Sequence, residues 1–152
     1  MPTETLDPDY YYADDLTFSF IPPEDWEPLD IGLEYPALFG PTIDEFNLNL
    51  IMVEEQPGFP MAFYTALVQD NYVSIFPDLT TISEEFLFTN EGKDYFRWEV
   101  TLTQEGVKIR QIFYFFESGD WTLMIAYTRP ADQGSEFDAQ VDEAMLTVRF
   151  TR

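Results

Sequence analysis

The chain has 152 residues and a mass of 17.8 kDa, and its 45% apolar and 18% aromatic content fits one folded domain and excludes collagen-like and low-complexity classes. Its 29 acidic and seven basic residues give a formal charge of −22, which disfavours nucleic-acid binding because that binding depends on neutralising phosphates with cations. Without Cys or His, the chain cannot form disulfides, thiolate or imidazole metal sites, or a Ser-His-Asp triad of its own.

The charge is also unevenly distributed along the chain. Residues 1–92 contain nineteen acidic residues and no basic one, whereas residues 93–152 contain ten acidic residues and all seven basic ones. Clustered negative charge attracts cations or a basic partner. It also keeps a chain rich in Phe and Tyr in solution, and both interpretations stay open.

The N-terminal region is predicted to be a flexible acidic tail over residues 1–13, ahead of a single domain over 14–152. Pro2 and Pro8 among acidic residues are typical of the stalk that follows a removed export or lipoprotein signal, and an ordinary disordered terminus is the alternative. No run of 18 apolar residues is present, so no transmembrane segment is expected.

Alternation and turn residues define the first elements. Residues 16–21 alternate apolar and small polar side chains until Pro22, which indicates a strand. Trp26 follows in an acidic turn, and a second strand is predicted near residues 31–35 in a segment rich in Gly and Pro. Residues 45–54 show a period of two and predict a further strand.

A helix is predicted over residues 60–76, where apolar side chains recur at intervals of three and four residues. The face comprises Tyr64, Leu67, Val68, Asn71, Tyr72 and Ile75. Such an aromatic stripe is typical of a helix packed on a sheet, and Pro77 ends the pattern.

Four strands and a helix complete the predicted order. If residues 105–106 form a two-residue loop, residues whose numbers sum to 211 face each other, so Trp98 lies opposite Phe113 and Glu99 lies diagonal to Arg110. The first two of the four strands span 80–89 and 94–103, the third contains 112–116, and the last spans 121–128.

The third strand carries apolar side chains on both faces at residues 112–116, so it is expected in the centre of the sheet with cover on both sides. A closing helix is predicted over 136–147 with Ser135 as its N-cap. The fold class is therefore α+β, an antiparallel sheet of about six strands covered by helices on both faces.

The opening segment 18–26 (Phe-Ser-Phe-Ile-Pro-Pro-Glu-Asp-Trp), the Asn-containing strand 46–50, the hairpin series and the closing residues 147–150 resemble the PsbP-like superfamily. That group includes an extrinsic photosystem subunit, exported lipoproteins and cytoplasmic adaptor chaperones of type VI secretion. The resemblance covers residues 14–151 and implies a three-layer α/β/α fold and a non-catalytic binding or assembly role. It carries over no active-site residue.

Two groups of residues are candidates for partner binding. Aromatic residues lie in predicted irregular regions, where they either contact a partner or fold back over the sheet as a lid: Tyr10, Tyr11, Tyr12, Trp26 and Phe39. Positive charge concentrates on one hairpin face, where it either binds an anion or acidic peptide or pairs with the chain's own acids: Arg97, Lys108 and Arg110.

The function expected from the sequence is an exported accessory protein, located outside the cytoplasm, that docks on another protein as a monomer or weak dimer. A lipid anchor on its precursor fits this expectation, and a cytoplasmic secretion adaptor is an alternative. A second alternative is calcium or manganese binding by acidic side chains, although no EF-hand spacing is present: Asp7, Asp9, Asp14, Asp15, Glu24, Asp25 and Glu27.

No catalysis and no cofactor are expected. Paired carboxylates are the catalytic apparatus that a chain without His and Cys could still use. Glu99 is the carboxylate that comes closest to such a role, and its predicted neighbour Arg110 would hold it ionised, which is unsuitable for a general acid.

Overall fold

The computed structural model describes residues 10–12 and 17–150. Within these ranges, a large antiparallel sheet contains seven strands: β3 (Glu27–Leu29), β4 (Ala37–Ile43), β5 (Phe46–Glu55), β6 (Thr80–Phe88), β7 (Asp94–Gln104), β8 (Val107–Ser118) and β9 (Trp121–Pro130). A smaller antiparallel sheet contains three strands: β1 (Tyr11–Tyr12), β2 (Phe18–Phe20) and β10 (Arg149–Phe150). The helices of the described part are α1 (Met61–Ile75) and α2 (Asp138–Leu146), the latter preceded by a 3₁₀ turn.

The order across the large sheet is β3-β4-β5-β9-β8-β7-β6, so β8 has a paired strand on each side. The α+β class with an antiparallel sheet is confirmed. The large sheet has seven strands, where about six were predicted. The strand predicted over residues 16–21 lies in the smaller sheet as β2, whereas β3 and β4 both form in the segment that was expected to hold one strand.

The predicted register of the β7–β8 hairpin is confirmed. Trp98 lies opposite Phe113 and Glu99 lies opposite Ile112. The loop is formed by Glu105 and Gly106, whose φ angles of 52° and 80° are those of a tight hairpin turn with two left-handed residues.

The buried position of the central strand β8 is also confirmed, since residues 113–116 are fully buried. Alternate side chains enter two hydrophobic clusters on opposite sides of the sheet. Tyr114 and Phe116 pack with α2 on what we call the α2 face, and Phe113 and Phe115 pack with α1 on the α1 face.

The bounds predicted for α1 are confirmed within one residue at each end, but its buried side is narrower than predicted. The ring of Tyr72 packs against Phe113 at a centroid distance of 4.9 Å, and Tyr64 is buried near Phe115. Leu67 and Ile75 are exposed. The six predicted residues belong to two neighbouring rows of the helix, and only one row can face the sheet.

The prediction of a strand near residues 31–35 was wrong. These residues form bends, with Gly32 at a φ of 89°, and the strand lies further on in β4. Gly40 and Pro41 suggested a break, but an irregularity in the β4–β5 pairing between Phe39 and Thr42 accommodates both within the strand.

The predicted N-cap of the last helix was also wrong. Gly134, at a φ of 83°, precedes a 3₁₀ turn over Ser135–Phe137, and α2 begins only at Asp138 without a side-chain cap. The closing residues 149–150, which were expected to follow directly from the helix, form β10 and pair with β2.

Candidate interaction surface

At one end of the α2 face, Arg129 on β9 joins the sheet to helix α2. The side chain of Arg129 is buried, with 1% of the residue exposed. Its guanidinium makes two parallel hydrogen bonds to Asp138 at the start of α2, from Nε to Oδ1 at 2.8 Å and from Nη2 to Oδ2 at 2.9 Å. Its Nη1 donates to the backbone carbonyls of Pro130, Ala131 and Gln133. A bidentate pair of this kind fixes both distance and orientation, so the helix start is held on the sheet.

A second charged network holds the middle of α2. Arg97 donates from Nε to Oδ1 of Asp142 at 3.0 Å and from Nη1 to Oε1 of Glu99 at 2.9 Å. The other oxygen of Glu99 pairs with Arg110 at 2.9 Å, and the hydroxyl of Tyr114 donates to Asp142. Burial, together with the nearby charge of Asp142, raises the pKa of Tyr114 well above its ordinary value, so this hydroxyl stays protonated as a donor.

Two of the three basic residues that were predicted to bind a partner belong to this network. Arg97 is buried and Arg110 is partly buried, and both pair with carboxylates of the same chain. Lys108 lies on the same hairpin face and is exposed. The geometry of Arg97 and Arg110 thus matches the interpretation in which the basic residues pair with the chain's own acids.

Beside this network an open pocket of about 480 Å³ lies between β6 and α2; we call it the β6–α2 pocket. Its lining contains four carboxylates and one guanidinium: Glu85, Glu99, Asp142, Glu143 and Arg97. Apolar side chains complete the wall, among them Leu87 and Leu146. The excess of carboxylates makes the pocket suited to a cationic group.

The outer strand β6 carries the most exposed large apolar side chains of the described residues. Phe86 is 74% exposed and Phe88 is 67% exposed. The ring of Phe86 rests on Phe96 of β7 at a centroid distance of 4.9 Å, which places it on the α1 face of the sheet. The alternation of these residues was visible in the sequence, but their exposure was missed because it depends on the order of strands in the sheet.

The two edges of the large sheet differ. The β3 edge has only three residues, and its central residue, Pro28, has no N–H to offer a further strand. The β6 edge has nine residues without Pro or Lys, and beyond the irregularity between Thr81 and Ser83 its pairing with β7 is regular up to Phe88. Long, regular and apolar edges are the ones that accept another strand.

The predicted aromatic residues lie mainly against the domain itself. Trp26 is buried above Gly40, where a Cβ atom would come within 2.3 Å of its ring. Tyr11 is buried with its ring 5.3 Å from that of Phe20, and the guanidinium of Arg149 lies 4.0 Å from the ring of Tyr10. Phe39 is half-buried.

Tyr11 and Tyr12, which the sequence assigned to the tail, form β1 and pair with β2. The side chain of Tyr12 lies outside the described residues, as do residues 1–9 of the predicted tail. Of the described residues that were predicted for partner binding, Arg97 lines the β6–α2 pocket and the others lie elsewhere in the molecule.

The acidic residues proposed for cation binding are only partly described. Glu24 and Asp25 lie beside Trp26 at an open groove of about 920 Å³, and Glu27 is in β3. Asp7, Asp9, Asp14 and Asp15 lie outside the described residues. Among residues 10–12 and 17–150, no group of three or more acidic side chains is placed to hold a metal ion. In the same ranges, neither helix has the length and apolar character needed to cross a membrane.

Comparison with known proteins gives similarity at the level of structure. No family model matches the sequence, and no curated protein matches it significantly. The solution structure of cyanobacterial PsbP (CyanoP) from Synechocystis is similar, with a TM-score of 0.67 and 12% identity over 99% of this chain and 98% of that one.

Two further solved structures are similar to the same extent. PA94 of Pseudomonas aeruginosa, a protein of unknown function, gives a TM-score of 0.66 and 16% identity over 91% of this chain and 93% of that one. LpqN, involved in cell envelope biogenesis of Mycobacterium tuberculosis, gives a TM-score of 0.66 and 11% identity over 94% and 90%. At these identities the similarity concerns the fold, and the chain has the PsbP-like fold.

Proposed function

We propose that this chain is a non-catalytic binding or assembly module that docks on another protein through the β6 edge. The observation that carries the proposal is the exposure of Phe86 and Phe88 on the regular half of that edge. Exposed apolar side chains in a row are costly to keep in water, and in monomeric proteins such patches mark interaction sites. A chain with a formal charge of −22 is rich in acidic residues, so two exposed phenylalanines close together on one strand stand out from its surface.

The charged groups support a role without catalysis. The two networks around Arg97 and Arg129 join secondary-structure elements to one another, and their carboxylates are engaged by guanidinium groups. An acid held by a close positive charge stays ionised and is a poor proton donor. The carboxylates of these two networks therefore serve the stability of the domain, which supports a role without catalysis.

The proposal includes the finer features of the fold and the location. We place α1 and α2 as outer layers of an α/β/α sandwich and residues 14–152 in one domain, to which Tyr11 and Tyr12 belong through β1. The location is outside the cytoplasm, with a cytoplasmic location as the alternative. The extracytoplasmic assignment draws support from the cell-envelope role in the description of LpqN.

Affinity capture with two matched double variants tests the docking role. Extract from the cells that produce the protein is passed over the wild type, over F86S/F88S, and over the control L29S/I31S, which removes two exposed apolar side chains at the opposite edge of the sheet. We expect one protein to be retained by the wild type and the control and lost with F86S/F88S. That protein is then purified and its affinity measured directly. Retention by F86S/F88S, or no specific retention at all, would overturn the proposal.

A further inference from the structure

We infer that the β6 edge binds an extended segment of a basic protein partner, which adds to the large sheet as a further antiparallel or parallel strand. This inference rests on the proposed function and names the chemistry of the partner. In any edge strand, alternate residues direct their N–H and C=O groups away from the sheet, so an extended segment gains affinity from the backbone and specificity from its side chains. The regular half of β6, from Ser83 to Phe88, offers this template.

The two faces of β6 require different side chains from the added strand. Phe86 points to the α1 face, since it lies opposite Phe96, whose side chain packs in the α1-face cluster. Phe88, the last residue of β6, also borders the β6–α2 pocket. Glu85 points to the α2 face, opposite Arg97. Because successive side chains of a strand alternate between faces, a partner strand places every second side chain against the phenylalanines and the others towards the β6–α2 pocket.

The charge of the β6–α2 pocket determines which side chains of the partner strand can point towards it. Arg97 at its base is held by Glu99 at 2.9 Å and Asp142 at 3.0 Å, and Glu85 lies farther from it at 3.7 Å. The side chain of Glu85 is about half exposed, and Glu143 on α2 is exposed. These carboxylates border the pocket on the α2 face, towards which every second side chain of an added strand would be directed, so Lys or Arg is favoured there and Asp or Glu is repelled. The partner segment therefore alternates apolar and basic residues.

A second copy of this chain fits the same edge less well. Each copy carries a formal charge of −22, and β6 itself contributes Glu84 and Glu85. Pairing two β6 strands around these residues would place a carboxylate of one copy near one of the other copy on each face of the sheet, and like charges across a sheet are destabilising. Charge complementarity thus favours a basic partner over self-association.

A set of peptides tests the inference at near-physiological salt. The probe is a blocked peptide as long as β6 in which Lys and Val alternate. One control has the same composition with Lys and Val in separate blocks, and another alternates Glu and Val. Affinities are measured by calorimetry, and hydrogen exchange of the backbone amides is followed by NMR on the full chain, whose oligomeric state is determined by analytical ultracentrifugation.

We expect the alternating Lys peptide to bind about tenfold more tightly than the block peptide, and the Glu peptide not to bind. New exchange protection should be confined to residues 80–88. The variants E85K and E143K should each weaken binding about tenfold, whereas E34K, which reverses an exposed charge in the bend segment 31–35, should not. E143K lies on α2 and leaves the folding of β6 unaffected, so it keeps the test valid if E85K is unstable.

Three results would overturn the inference. One is equal binding of the alternating and block peptides, which would show attraction by charge alone. Another is the absence of binding by the alternating Lys peptide, or binding that leaves the hydrogen exchange of β6 unchanged. The third is a dimer of the wild type that dissociates in F86S/F88S, which would assign the edge to a second copy. If a captured protein still depends on Phe86 and Phe88 in these cases, the docking role stands and only the strand chemistry fails.

Discussion

The two faces of the large sheet are closed by different physical means. On the α2 face, ion pairs from Arg97 and Arg129 supplement a core of buried aromatic rings and hold α2 at two points. On the α1 face, helix α1 packs chiefly through the rings of Tyr64 and Tyr72, with exposed phenylalanines beside it. The comparison teaches that a chain with only seven basic residues uses some of them inside the fold. The other face has no such ion pair to its helix among the described residues and relies mainly on apolar contact, with hydrogen bonds such as that from Nε2 of Gln69 to Oε1 of Glu84 at 2.9 Å.

The largest loss of stability is expected when the ion pair of Arg129 with Asp138 is removed. R129A should lower the free energy of unfolding by about 3–5 kcal/mol, because it leaves Asp138 and three backbone carbonyls without their cationic donor. R129K should recover only part of this loss, since Lys cannot form the bidentate pair. Urea unfolding measures both variants, and a loss below about 1 kcal/mol would show that the ion pair of Arg129 with Asp138 does not hold the start of α2.

The α1 face should respond to the loss of a single ring. Y72A should cost about 2–3 kcal/mol, because the ring contacts Trp98, Phe113 and Phe76 but is only partly buried. The neighbouring V73A removes an exposed side chain and should change stability by less than about 0.5 kcal/mol. Similar losses for both variants in urea unfolding would contradict the packing of α1 described above.

Because Trp26 lies close to Gly40, adding a methyl group at this position should lower the stability of the protein. G40A should destabilise the protein by about 1–3 kcal/mol, because its Cβ would lie within 2.3 Å of the indole ring, which must move. The displaced ring should show a changed fluorescence maximum in the folded state. G92A, at a glycine of a surface turn with open space around it, is the control for fluorescence, which it should leave unchanged.

Alkaline pH should loosen the α1 face through Tyr64. Burial, with the nearby carboxylate of Glu55, raises the pKa of Tyr64 from 10.0 to about 12. Because the folded pKa lies above the unfolded one, the contribution of the protonated hydroxyl to stability is complete below pH 10 and is lost between pH 10 and 12. Y64F should lose less stability than the wild type over this range in urea unfolding. Equal slopes against pH would contradict the raised pKa.

A small effect on stability is expected at the β6 edge. F86S should change the free energy of unfolding by at most about 1 kcal/mol, because the ring is 74% exposed and keeps one aromatic neighbour, Phe96. A large loss in urea unfolding would mean that the edge belongs to the core, and the docking role would lose its main support.

The hairpin β7–β8 shows what the sequence makes predictable. Its register follows from a local turn and from alternating apolar residues, both of which are visible in neighbouring positions. The burial of residues 113–116 follows from a strand that is apolar on both faces, which has no stable place outside a covered sheet.

The candidate site was less predictable, because it depends on the order of strands. Phe86 and Phe88 have the pattern of core residues, and only the position of β6 at the end of the sheet exposes them. The engagement of Arg97 by Asp142 likewise joins residues 45 positions apart in the sequence. The strand β4 was missed for a different reason, since Gly40 and Pro41 are read locally as breakers although the sheet tolerates them at an irregular pairing.

The pairing of β2 with β10 has a consequence for how the protein is made. Phe18 lies opposite Phe150, and the amide of Ile21 donates to the hydroxyl of Thr147, which is 126 positions further along the chain, so this neighbour of β2 is made much later than β2 itself. Contacts so distant along the chain form slowly, because the intervening segment must first be ordered. Until residues 149–150 have been made, β2 therefore lacks one of the two strands that pair with it.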